Sequence, residues 1–193
     1  MHNIGNDIVD LNLAKIESNW QRKGFLEKQF TQKEQDEILN AENPFLKVWL
    51  FWSMKEAAYK CYTQKFEKRF FAPQKFECSL TSEDTGVVIF KELPFYTSSD
   101  LTTFYIHTTA EDIFIENNSA IRMYAGIGNP HFVAKYVKKR LEEKTGILAQ
   151  EIVKRKTNIG APQFYQKEKL LTKSCSISHH GNYGAYVFML NEY

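Results

Sequence analysis

No apolar run in this chain approaches the roughly 20 residues that a helix needs to cross a bilayer. Met1-His2-Asn3 leads straight into a strand-like segment rather than a basic, apolar leader. These absences set the expectation of a cytoplasmic protein with no membrane partner. Cysteine is scarce: Cys61, Cys78 and Cys175 are odd in number, lack a Cys-x-x-Cys spacing and sit in apolar surroundings. Buried free thiols are therefore expected, not a disulfide or a zinc site. Neither sign of charge is in excess, because 25 Lys and Arg stand against 23 Asp and Glu for a net +2. That balance gives no argument for nucleic acid, although clustered lysines still allow local positive patches. Gly126-Ile127-Gly128 lacks the Gly-Lys-Ser/Thr ending of a phosphate loop and reads as a turn. No internal repeat or low-complexity tract is present.

What the chain does have is apolar and aromatic mass. Its 193 residues are 43% hydrophobic and 15% aromatic, enough for one sizeable core or two small halves sharing an interface. Ile4 to Leu11 reads as a strand, Asn12 to Glu17 as a polar stretch, and Ser18 to Gly24 as a basic connection. Thr31-Gln32-Lys33-Glu34 fits a capping box that starts a helix near Gln32, and Asn43-Pro44 ends it and launches a second, aromatic helix. From Phe70 the texture becomes short and β-branched: Lys75 to Leu80, Gly86 to Phe90, Leu101 to Thr109 and Asp112 to Tyr124 are expected strands. Ser82 to Gly86 and Tyr96 to Asp100 read as polar turns, and Glu116 to Ser119 as a hairpin bend. His107, alone in an alternating strand, reads as a packed or surface histidine. A third helix follows Asn129-Pro130, with Phe132, Val133, Tyr136, Val137 and Leu141 on one face and Lys135, Lys138, Lys139 and Arg140 mostly on the other. Gln150 to Lys156 and Pro162 to Gln166 return to strand. The expected fold class is α+β, with helices packed on antiparallel sheet.

Three stretches carry residues that fit a solvated surface poorly. In Phe51 to Lys60, helical spacing puts Trp49, Trp52, Ser53, Glu56 and Lys60 on one face, so tryptophan is followed by an acid and a base. An i, i+4 surface pair is the plain alternative. Asp7 interrupts the first strand and needs a partner there. Ser174 to Phe188 reads as strand, polar turn and strand, with His179, His180 and Gly181 at the bend.

In this order, Gly5-Asn6-Asp7, Trp52-Ser53-Met54-Lys55-Glu56-Ala57-Ala58-Tyr59-Lys60 and Ser176-Ile177-Ser178-His179 resemble the signatures of the 4'-phosphopantetheinyl transferase superfamily. Phe25 to Glu34 is similar to the family's first-helix segment and Gly160-Ala161-Pro162 to its Gly-Lys-Pro turn, while the middle of the chain is unmatched. The resemblance implies one transferase-like domain over residues 1–193 with a β-rich insertion and helix at about 65–149. It implies transfer of 4'-phosphopantetheine from coenzyme A to a serine of an apo acyl carrier protein, Mg²⁺-dependent with Mn²⁺ as a substitute, releasing adenosine 3',5'-bisphosphate. By the same resemblance Asp7 and Glu56 hold the metal, Glu56 and Lys60 act in catalysis, and Lys60, Ser178 and His179 contact coenzyme A. Residue chemistry agrees in kind: a diphosphate calls for hard cations and oxygen ligands, and an alcohol nucleophile calls for a base, either Glu56 or a metal-bound water.

Departures from the family pattern set further expectations. Val9 stands where the larger members carry a third acid, so the two-carboxylate arrangement of holo-acyl-carrier-protein synthases is implied, with Asp10 turned to the opposite face. Ala161 replaces the turn lysine. Leu13 replaces a carrier-facing arginine, leaving Lys15, Arg22, Lys23 and Lys28 to receive an acidic carrier, with Lys135 to Arg140 as the rival patch. Small synthases share their sites across a trimer, so a homo-oligomer with interfacial sites is one expectation. A non-catalytic coenzyme A or carrier-binding module and a different metal-dependent phosphate enzyme are the competing readings.

Overall fold

The computed structural model of the chain describes residues 2–70, 72–114, 121–125 and 130–191. β1 (Ile4–Asp10) is followed by four helices, α1 (Leu11–Glu17), α2 (Phe25–Gln29), α3 (Gln32–Leu39) and α4 (Pro44–Phe66). Next come β2 (Glu77–Leu80), β3 (Thr85–Phe90), β4 (Leu93–Leu101), β5 (Tyr105–Glu111) and β6 (Ile121–Ala125), then α5 (Pro130–Thr145). The chain closes with β7 (Ile152–Lys156), β8 (Pro162–Gln166), β9 (Lys169–Leu170), β10 (Thr172–His180) and β11 (Tyr183–Leu190). The strands form a five-stranded sheet in the order β1-β5-β4-β3-β2 and two three-stranded sheets, β10-β11-β6 and β7-β8-β9. The pairing is antiparallel in every sheet, so the α+β class is as expected. The orders β1-β5-β4 and β6-β11-β10 repeat one pattern, in which the first strand of a half pairs with its last and the last with the one before it. No helix among the described residues is long and apolar enough to cross a membrane.

α4 lies across the larger sheet and buries Phe51, Met54, Ala57, Ala58, Cys61 and Tyr62 in one core with Val9, Phe76, Val88, Phe90, Phe95 and Ile106. A second core joins Val133, Val137 and Leu141 of α5 to Cys175, Tyr186 and Phe188. All three cysteines are buried with free thiols. Gly5 is where β1 crosses α4: a Cβ there would collide with the Ala57 carbonyl and the Cys61 amide. That close approach gives the glycine of the Gly5-Asn6-Asp7 motif its physical reason.

Several expectations need correction. Residues 12–17, read as a polar stretch with no element assigned, lie in α1, because the Asp10 carboxylate accepts from the Asn12 and Leu13 amides at 3.0 and 3.1 Å and caps a helix. With only Leu11 and Ala14 buried, that helix has too little periodicity to read from sequence. Residues 96–100 are not a turn but the second half of β4, where polar side chains alternate inward; Thr97 and Ser99 are buried, and the Ser99 and Thr108 hydroxyls lie 2.9 Å apart. Asp112 and Ile113 follow the end of β5 rather than opening a strand. Phe132 and Tyr136 are exposed, so the apolar face of α5 is narrower than expected. The bend at 116–119, the turn at 126–128 and Asn129 lie outside the described residues.

The capping box at Thr31 forms as expected and does more than cap. Glu34 accepts from the Thr31 amide at 2.8 Å and from the Cys78 amide at 2.6 Å, and it pairs with Lys55 Nζ at 2.7 Å. Lys55 is fully buried and also donates to the Pro73 and Phe76 carbonyls, so one ion pair ties α3, α4 and β2 together. Cutting it would strand a buried carboxylate. Lys55→Met should lower the unfolding free energy by about 3–5 kcal/mol in urea titration, with partial recovery in the double variant with Glu34→Gln. An unchanged midpoint would show that the pair does not hold these elements.

Candidate active site

The site is organised by the edge of β1 that faces away from β5. Leu11 N–H donates to Phe104 O at 2.9 Å on the β5 side, so the antiparallel alternation turns the even-numbered amides of β1 outward. Side chains of β10 meet them in step. Ser174 Oγ accepts from Ile4 N at 3.0 Å, Ser176 Oγ from Asn6 N at 3.0 Å, and His180 Nδ1 from Asp10 N at 2.9 Å. The outward carbonyls are met from α4: Gln64 Nε2 donates to Ile4 O at 2.7 Å and Lys60 Nζ to Asn6 O at 2.9 Å. Ser178 Oγ accepts from Asn6 Nδ2 at 2.9 Å, and Asn6 Nδ2 lies 3.2 Å from His107 Nε2. His107 is thus packed, one of the two readings that its lone position in a strand left open.

This edge places the two acids. Lys60 Nζ, bonded to the Asn6 carbonyl, also reaches Asp7 Oδ1 at 2.8 Å. Glu56 lies one helical turn earlier on α4. Asp7, Glu56, Trp52, Arg22, His179 and His180 line one cleft of about 420 Å³. Burial first, and then the charge of Asp7, pushes the Glu56 carboxyl up to about 7, with Lys60 pulling the other way. Asp7 and Glu56 line one cleft, and the Lys60 ammonium is engaged by Asp7 Oδ1 and the Asn6 carbonyl, which leaves negative charge for a cation to offset. Among the described residues no group of three or more His, Cys, Asp or Glu gathers. Two carboxylates nonetheless match Mg²⁺, which usually keeps waters and takes phosphate oxygens for its other positions. Val9 is buried, and Asp10, facing away from the acids as expected, caps α1 and accepts from the Asn182 amide at 3.1 Å.

A second cavity of about 350 Å³ is lined by Lys60, whose ammonium is bonded to Asp7 of the cleft, and by Tyr59, Arg69, Gly160, Ala161 and Ser176. Arg69 was not singled out in the sequence. Its Nε donates to Ile159 O at 2.6 Å, and Gly160, with φ 82°, leaves room for the guanidinium, which a Cβ there would meet. Arg69 thus places a guanidinium in the cavity that Ala161 also lines. The one available signal was a basic pair, Lys68-Arg69, directly following the motif helix.

Of the residues read from the sequence, Asp7, Glu56, Lys60 and His179 come together around these cavities, His179 exposed at the rim. Ser178 is buried against Asn6 and lines neither cavity. His180, beside it at the bend, accepts from the Asp10 amide and also lines the cleft. Arg22 lines the cleft beside an exposed Lys23, and Lys15 and Lys28 are exposed as well. In the rival patch on α5, Arg140 is already paired with Glu143 at 2.6 Å.

A family model described as the 4'-phosphopantetheinyl transferase superfamily matches residues 3–115, more than half of the chain. The match includes Asp7, Glu56, Lys60 and β1 to β5, and ends before the Ser-His strand. A search of curated proteins found no match.

The raised Glu56 pKa sets a pH dependence for metal-free protein. Its folded value of about 7 exceeds the reference 4.5, so the native state binds this proton more tightly. The resulting stabilisation is complete below about pH 4.5 and is lost as pH rises through 7. In chelator, the melting temperature of the wild type relative to Glu56→Gln should fall between pH 5 and 8. A constant difference across that range would contradict the assignment.

Proposed function

The chain belongs to the 4'-phosphopantetheinyl transferase superfamily, and from that premise we propose that it moves 4'-phosphopantetheine from coenzyme A to a serine hydroxyl of an apo acyl carrier protein, releasing adenosine 3',5'-bisphosphate. The observation that carries this reading is the meeting of Asp7 and Glu56 in one cleft, with Lys60 joining it to the Arg69 cavity. Coenzyme A would lie across both, its diphosphate at Lys60 and its adenosine end toward Arg69 and the Gly160-Ala161-Pro162 turn.

Asp7 and Glu56 would hold Mg²⁺, or Mn²⁺ in its place, and the bound ion would supply charge neutralisation for the diphosphate. The serine oxygen attacks the phosphorus that carries the pantetheine arm; that P–O bond to the adenosine-side phosphate breaks, and the bisphosphate leaves with the electron pair. Glu56 accepts the serine proton directly or through one water. Lys60 offsets charge on the departing phosphate, and His179 at the rim offers a further donor. We assign Ser178 to fixing β10 on β1 instead of contacting coenzyme A. Because Asp7 and His179 meet within one chain, the reading needs no subunit interface. The acidic carrier would approach over Arg22 and Lys23.

Incubation with coenzyme A, Mg²⁺ and a panel of apo carrier proteins should add the mass of phosphopantetheine to at least one carrier. Asp7→Ala or Glu56→Ala should slow transfer about 10²- to 10⁴-fold with the fold intact. Coenzyme A binding with no mass added to any carrier would leave only a binding module, and full activity in either variant would remove these residues from the reaction.

The two basic ends should separate kinetically. Arg69→Ala should raise KM for coenzyme A by about tenfold and leave that for the carrier alone. Charge reversal at Arg22 and Lys23 should do the opposite and weaken the salt dependence of carrier capture. If reversal at Lys138 and Lys139 gives the second pattern instead, the carrier docks on α5.

A further inference from the structure

The contacts along β1 come in an order that gives the site two ends. At Asn6 the strand meets Ser176 and Lys60, which line the 350 Å³ cavity; Asp7 follows; at Asp10 it meets His180, which lines the 420 Å³ cleft together with Arg22. Asp10 seats the bend that carries this histidine. Its amide donates to His180 Nδ1 at 2.9 Å, its carboxylate accepts from the Asn182 amide at 3.1 Å, and a Cβ on Gly181, whose φ is 53°, would collide with that carboxylate. An N–H aimed at Nδ1 needs the lone pair there, so the imidazole is neutral and its proton sits on Nε2. That second nitrogen has no partner among the described residues, and it is not one of their enclosed, unpaired polar atoms. The ring is half-buried and lines the cleft, which leaves Nε2–H as its open donor.

A donor locked in the neutral form has a narrow use. Phosphate oxygens are held better by cations, which Lys60 and Arg69 supply at the other end, and His180 cannot become an imidazolium without turning an Nδ1–H against the Asp10 amide. Its fitting partner is an uncharged carbonyl. Asp7 and Asp10 are three residues of strand apart, about 10 Å. A peptide whose serine hydroxyl reaches the phosphorus at the acids therefore brings the carbonyls of its neighbouring residues to His180. We propose that His180 Nε2–H donates to a backbone carbonyl of the carrier protein beside the acceptor serine and so sets the depth at which the serine enters. The inference rests on the transfer reading above and deepens it by naming a carrier contact within the cleft. The pantetheine arm also carries amide carbonyls, but Arg22 in the same cleft gives this end the charge that an acidic carrier requires.

His180→Asn separates the two nitrogens, because the Asn amide oxygen can take the place of Nδ1 and keep the Asp10 amide paired while the Nε2 donor is lost. Transfer kinetics with an apo carrier that the wild type modifies, and titration calorimetry with coenzyme A, read the two substrates apart. The variant should raise the carrier KM by about three- to tenfold, with kcat, coenzyme A affinity and melting temperature unchanged. His180→Phe, which also strips the acceptor, should show the same KM and a lower melting temperature. On the wild type, ¹⁵N NMR of the imidazole should show the neutral form with hydrogen on Nε2; hydrogen on Nδ1 would overturn the lock and the proposal with it. Weaker coenzyme A binding at an unchanged carrier KM would give the donor to the pantetheine arm and overturn the assignment to the carrier. No transfer to any carrier by the wild type would remove the transfer reading together with this inference, whereas normal wild-type transfer and an unaltered KM in His180→Asn remove only the inference.

Discussion

The open edge of β1 is the constraint on which the rest of the site depends. A strand edge enclosed by protein must find partners for its amides and carbonyls, because leaving them unpaired costs more than any single contact returns. Among the described residues no further strand pairs along that edge, and side chains meet it instead. Ser174, Ser176 and His180 of β10 accept from the amides, and Gln64 and Lys60 of α4 donate to the carbonyls. The bonds that close the edge therefore also set the position of Asp7 relative to Lys60 and bring the Ser-His strand to the cleft. Fold and site share the same atoms, so the serines of Ser176-Ile177-Ser178-His179 have a structural reason to be there.

Adjacent residues on α4 show how environment separates roles. Lys55 and Glu56 are neighbours in sequence but point about 100° apart around the helix. Lys55 turns into the core, where Glu34 and two carbonyls satisfy it, and its charge is spent on joining α3 to β2. Glu56 turns toward Asp7 in the cleft, where burial and a like charge favour the protonated form until a cation or a stronger base arrives. A motif that reads as Lys-Glu on paper thus divides into one structural and one chemical residue.

Much of this was legible in the sequence, for reasons that can be named. Thr31 and Glu34 form a local pattern set within four consecutive residues, and the capping box appears as read. Asp7, Glu56 and Lys60 are unusual where they stand, and their isolation pointed to one another. Less was legible where polar residues carry burial: β4 hides Thr97 and Ser99 inside, and α1 rests on the Asp10 cap more than on an apolar stripe. Arg69 escaped notice because its meaning depends on what the tertiary fold sets opposite it, a glycine turn.

The central claim is that Asp7 and Glu56 together form a divalent-cation site that faces the diphosphate of coenzyme A. Anomalous scattering from crystals grown with coenzyme A and Mn²⁺ addresses it directly. The account predicts one strong peak between the Asp7 and Glu56 carboxylates, next to the diphosphate. Bound coenzyme A with manganese elsewhere, or with no peak between Asp7 and Glu56, would contradict it.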